Sequence, residues 1–111
     1  MSNFTAEYVR RLEDVDHRYE LENALNWLPP RSVMIFIYDS NGRLITSNAP
    51  PPEKENLSDL QTASTGGEVF NTVEYEGVTM LSCTVRVNVG ENIDVNGRIF
   101  LRTMMPADWA S

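Results

Sequence analysis

The stretch that most constrains this chain runs from Arg31 to Ser47, RSVMIFIYDSNGRLITS. Val33, Met34, Ile35, Phe36, Ile37 and Tyr38 follow one another without a polar break, the pattern of a strand covered on both faces. Asp39-Ser40-Asn41-Gly42 then supplies turn chemistry. Asp and Asn side chains bond nearby backbone groups, and Gly42 can take the positive φ that closes a type I turn with a bulge. Leu44, Ile45, Thr46 and Ser47 return as a strand. A chain built on such a hairpin must find cover for two sheet faces.

The cover is expected from the flanking segments. Asn3 to Leu28 reads as one long helix, with Thr5 as its N-cap and Pro29-Pro30 as its stop. Tyr8, Leu12, Val15 and Tyr19 recur at spacings of four, three and four and share a face; Leu21, Leu25 and Leu28 form a neighbouring stripe. The helix is long for so small a domain, so part of it is expected to extend past the sheet. After the proline-rich loop Asn48 to Glu55, a short helix is expected to start at the cap Asn56, bury Leu57, Leu60 and Ala63, and end at Gly66-Gly67. Glu68 to Tyr75 reads as strand, Glu76-Gly77 as a tight turn, and Val78 to Val89 as the longest strand. In it Leu81, Cys83, Val85, Val87 and Val89 alternate with Ser82, Thr84, Arg86 and Asn88, so one buried and one wet face are expected. Gly90 to Gly97 is an acidic, amide-rich connection, and Arg98 to Met105 the last strand. Short links imply a mostly antiparallel sheet of about five strands. The expected fold is α+β, one domain over residues 1–111, with a long helix at about 3–28 and a core at about 32–106.

Composition narrows the function classes. A net charge of -7, with scattered basic residues, argues against nucleic acid, whose phosphates need clustered Lys and Arg. The single Cys83 excludes an internal disulfide and a cysteine metal site, and its place among core valines makes it a buried structural residue. His17, the only histidine, falls on a charged helix face with no base or nucleophile in sequence reach. Glu91, Asn92, Asp94 and Asn96 could offer oxygens to a divalent cation, but a solvated acidic loop accounts for them too. No phosphate-loop or dinucleotide motif occurs. No catalytic residue, metal site or cofactor is therefore expected.

The phrases IFIYDSNGRLITSN, YEGVTMLSCTVRV and NGRIFLRTMMP resemble the first hairpin, the middle strands and the closing strand of extracytoplasmic PAS-like sensor domains. These are the PDC or CACHE-like domains of membrane-bound bacterial sensor histidine kinases. The resemblance covers roughly Ser32 to Pro106; Arg86 stands where that family's phrase usually has a proline, and the motif of its amino-acid-sensing members is not matched. It implies a non-catalytic two-component sensor module with a PAS-like sheet. Its N-terminal helix and last strand would lead to membrane spans outside this chain, with the domain on the extracytoplasmic side. It also implies a homodimer through the helix stripe Tyr8, Leu12, Val15 and Tyr19. A small ligand or partner protein would sit between the two helices and the sheet, where Tyr75, Arg86 and Arg102 are the candidate contacts. The alternative is a cytosolic roadblock or PAS-type interaction domain, and a small enzyme using dispersed carboxylates ranks last.

Overall fold

The computed structural model describes residues 3–25, 33–54 and 57–109. Five strands form one antiparallel sheet in the order β2-β1-β5-β4-β3: β1 Met34–Tyr38, β2 Leu44–Ser47, β3 Glu68–Tyr75, β4 Val78–Asn88 and β5 Arg98–Pro106. The first and last strands of the chain thus lie side by side at the centre of the sheet. Among the described residues three helices pack with it, α1 Asn3–Glu13, α2 Glu20–Ala24 and α3 Ser58–Ala63, and a 3-10 turn follows β5 at Ala107–Trp109.

The α+β class and the antiparallel sheet are as the sequence implies. The opening hairpin is too. Asp39 accepts the Asn41 and Arg43 backbone N–H groups through Oδ1, both at 2.9 Å, and Gly42 takes φ +84°. The register between β1 and β2 shifts at Ile37/Tyr38, as a bulged turn requires. Glu76 and Gly77 both have positive φ, matching the right-handed twist of the β3–β4 hairpin.

The helix expected over 3–28 is present only as far as Glu13. The Asp14 and Val15 N–H groups close onto Arg11 and Leu12 carbonyls, and α2 begins at Glu20. Asp14 and Asp16 are poor helix formers, and their charge opposes the negative end of the helix. Continued straight, 26 residues would span about 39 Å, the full 37 Å length of the molecule. The break instead folds Leu21 and Ala24 back into the core, where the Tyr8 hydroxyl donates to the Ala24 carbonyl. Thr5 is not a cap: it lies inside α1 and is buried. His17 is in the non-helical link, exposed, with its ring stacked on Tyr19 at 5.4 Å. Leu28, Pro29, Pro30 and Asn56 lie outside the described residues.

Two cores result, one on each side of the sheet. Tyr8, Leu12, Val15 and Leu21 of the N-terminal segment cover Ile35, Ile37, Val85, Val87 and Leu101. On the other face, Leu60 and Ala63 of α3 cover Phe36, Tyr38, Phe100 and Met104, with Tyr75 and Met80. This corrects the expectation of a wet face on β4. Ser82 and Thr84 are as buried as Cys83 and Val85, because α3 and its flanking loop lie over them. Leu57, expected on the buried side of α3, is exposed instead.

Candidate functional site

The sheet stands between α1 and α3, so among the described residues the two helices that were expected to flank one site lie on opposite faces. Register does place Tyr75, Arg86 and Arg102 on one face, the α3 face. Arg86 is paired with Phe100, Arg102 with Thr84 and Phe36, and Tyr75 with Val78. They do not converge. Thr84 and Val78 are six positions apart on β4, about 20 Å at strand rise.

Each has its own local role. Tyr75 donates its hydroxyl to the Pro50 carbonyl at 2.5 Å and ties the proline-rich loop to β3. Arg86 donates to the Ser64 carbonyl at 2.7 Å, closing the C-terminal end of α3 onto β4. Arg102 is one of the largest fully buried side chains. Its Nε donates to Thr84 Oγ1 at 3.1 Å, and its guanidinium lies 5.2 Å from the centre of the Tyr38 ring. A buried guanidinium needs such satisfaction, since taking it out of water is costly. Beside it is a void of about 40 Å³, reached also by Asp59, Ser82 and Met104. Ser82 is 1% exposed and its hydroxyl has no hydrogen-bond partner. The space suits an ordered water, which needs on the order of 10–15 Å³ and polar neighbours. A larger cleft of about 480 Å³ lies against the proline-rich loop, lined by Pro51, Pro52, Lys54, Glu74 and Tyr75 among others.

A second groove of about 290 Å³ runs between α3 and the β1–β2 turn. Leu57, Leu60 and Phe100 give it an apolar wall; Asn41, Gln61 and Arg98 give it polar ends. Arg98 was not among the sequence candidates. In the sequence it is the first residue of a strand after a loop, and nothing there says which groups face it. Only the pairing Asn88↔Arg98, next to Arg86↔Phe100, puts two arginines side by side on the α3 face.

The acidic connection is structural. Asp94 is 5% exposed, and accepts the Ser40 N–H through Oδ2 at 3.0 Å and the Asn96 N–H through Oδ1 at 2.9 Å. Burial pushes its carboxyl up, but the bonds from Ser40 and Asn96 and the nearby Arg18 charge outweigh that and hold it below the usual carboxylate range. Asn92 donates its side-chain N–H to the Asp16 carbonyl and Asn96 to Ser40 Oγ at 2.8 Å. The connection therefore pins the β1–β2 turn and the α1–α2 link, and among the described residues no group of three or more His, Cys, Asp or Glu is placed to hold a metal ion. Cys83 is buried, donates to Glu68 at 3.7 Å, and its thiol is pushed up to about 11 by burial and by the Glu68 charge.

The proposed dimer stripe is divided. Tyr8, Leu12 and Val15 are buried in the chain's own core and only Tyr19, 71% exposed, remains at the surface. A helix face already packed on its own sheet cannot serve a second copy without unfolding that contact.

Comparison with protein-family models, with curated proteins and with solved structures gives no significant match.

Proposed function

We propose that this chain is the signal-sensing domain of a bacterial two-component sensor histidine kinase, PAS-like and on the extracytoplasmic side of the membrane. The observation that carries the reading is where the chain enters and leaves. The residues after α1 meet the β4–β5 connection, through Asn92 and Asp16. β5 starts at the same end, with Arg98 beside Asn88, and runs to the opposite end, with Pro106 beside Met80. β5 therefore runs away from the end of the sheet at which the α1–α2 link lies, the course expected of a strand that leads toward a membrane-anchored flank. A further fact fits. The β1–β2 hairpin phrase IFIYDSNGRLITSN is one of three phrases, spread over roughly Ser32 to Pro106, that resemble such sensors. Among the described residues no helix is long and apolar enough to cross a membrane.

Signal would pass because β5 is hydrogen-bonded to both β1 and β4, so a ligand that favours one position of β5 shifts the whole exit strand. A second reading, a cytosolic interaction domain, draws on the edge strand β3, eight residues long and with Phe70 57% exposed, which could accept a partner's strand. Immunoblotting soluble and membrane fractions of the natural source separates the two. A membrane-borne species much larger than 12.6 kDa is expected; a soluble species of that mass would remove the sensor reading.

A further inference from the structure

Asparagine is followed by glycine twice in the chain, at Asn41-Gly42 and Asn96-Gly97, and both pairs end the same turn motif, Asp39-Ser40-Asn41-Gly42 and Asp94-Val95-Asn96-Gly97. The two turns are built alike. In each, the Asp Oδ1 accepts the Asn backbone N–H at 2.9 Å. The Gly N–H donates to the Asp carbonyl, at 3.0 Å in the first turn and 2.8 Å in the second. Both glycines take positive φ, +84° and +71°, and both asparagines are exposed. The turns differ at the side-chain amide. Asn96 donates its Nδ2–H to Ser40 Oγ at 2.8 Å, a bond that crosses from one turn to the other. Among the described residues the Asn41 carboxamide has no hydrogen-bond partner; only its backbone N–H is engaged.

That difference bears on a reaction that needs no enzyme. In an Asn-Gly pair the glycine nitrogen, having given its proton to solvent base, attacks the asparagine Cγ. The N–Cγ bond forms, the Cγ–Nδ2 bond breaks, and ammonia leaves with a proton from water, which closes a succinimide. Water then opens the ring. Cleavage of Cγ–N leaves aspartate; cleavage of the backbone C–N bond leaves isoaspartate, with the chain routed through the side chain. Glycine favours the step because it has no Cβ to hinder the approach of its nitrogen. The carboxamide must turn until Cγ faces that nitrogen. Asn41 turns without breaking a bond. Asn96 must first release Ser40, and the loss of one ordinary hydrogen bond slows the step by about two- to tenfold.

We propose that Asn41 is a spontaneous deamidation site of the folded chain, and that Ser40 shields Asn96 from the same reaction. Either product places a carboxylate in the β1–β2 turn beside Asp39, and isoaspartate also adds a backbone methylene inside the turn that Gly42 closes onto Asp39. The first hairpin thereby carries the chain's site of chemical ageing. This goes beyond the sensing reading and does not depend on it.

The full chain is incubated in mildly alkaline buffer at physiological temperature, folded and in urea. It is then cut after arginine and read by mass spectrometry with fragmentation, residues 32–43 reporting Asn41 and residues 87–98 reporting Asn96. Urea supplies the intrinsic rate of each pair. The ratio of the Asn41 rate to the Asn96 rate should be about two- to tenfold higher in the folded chain than in urea. Ser40→Ala should raise the Asn96 rate of the folded chain by the same factor and leave it unchanged in urea. Because Ser40→Ala could loosen the turn, Ser40→Thr serves as a second variant; it keeps the hydroxyl and should hold the Asn96 rate at that of the natural chain. A folded-chain ratio no higher than the ratio in urea overturns the proposal. An Asn96 rate unmoved by Ser40→Ala, or raised equally by Ser40→Thr, overturns it as well.

Discussion

Replacing Asp94 tests the claim that an acidic loop residue is a structural clamp. Its carboxylate receives two backbone N–H groups, from Ser40 and Asn96, at 3.0 and 2.9 Å while almost wholly buried. Hydrogen bonds to a charged group contribute about 1.5–3 kcal/mol each. Ser40 is only half-buried and Asn96 exposed, so water recovers part of the loss when the acceptor goes. The expected cost of Asp94→Ala is therefore about 2–4 kcal/mol, and of Asp94→Asn about 2 kcal/mol, since one oxygen still accepts while the amide N–H₂ faces a donor. In urea, with a slope of roughly 1.5 kcal/mol per M, Asp94→Ala should lower the unfolding midpoint by roughly 2 M at unchanged slope. The sign with pH follows from linkage. The folded-state carboxyl titrates below its unfolded value, so this stability is fully present above about pH 4 and is lost as pH falls through the lowered folded value. The gap between the natural chain and Asp94→Asn should accordingly be constant from neutral pH to about pH 5 and shrink below about pH 4. A loss under about 0.5 kcal/mol for Asp94→Ala, the range of an ordinary surface change, would refute the clamp. So would a gap that does not shrink in acid.

Two further predictions concern the N-terminal stripe and the thiol. Leu12→Ala, in the core against the sheet, should cost about 2–5 kcal/mol, whereas Tyr19→Ala, exposed, should stay within about 0.5 kcal/mol; chemical denaturation of both decides whether the stripe serves the chain's own core. If Tyr19→Ala instead dissociated a dimer in sedimentation, the stripe would have a second role. Cys83, with its thiol pushed up to about 11, should react with a disulfide reagent at pH 7 only at the rate the chain opens, and far faster in urea; rapid reaction of the folded chain would contradict its burial.

Much of this architecture was readable from local pattern. The unbroken apolar run Val33 to Tyr38 required cover on both faces, and Asp39 with Gly42 required a bulged turn, because periodicity and turn chemistry act within a few residues. The buried Cys83 followed from its alternation with valines in the same way. The break after Glu13 was not readable from the apolar spacing, which stays helical through Tyr19. It depends on where the sheet ends beneath the helix, and on Ala24 being within reach of the Tyr8 hydroxyl. The alternation in β4 likewise gave the two faces but not their cover: serine and threonine read as wet until α3 is placed over them. Asp94 read as a free acid for the same reason, since its partner Ser40 is 54 residues away.

The candidate groove belongs wholly to the second kind. The sequence by itself determined the strands, their turns and the charge excess, all set by neighbours along the chain. Only the tertiary structure decided which helix lies on which face, and so that Arg98 lines the groove beside α3 while Tyr75, Arg86 and Arg102 part company. The physical reason is that antiparallel register fixes side-chain neighbours across strands far apart in sequence, and a shift of one residue would send every one of them to the other face.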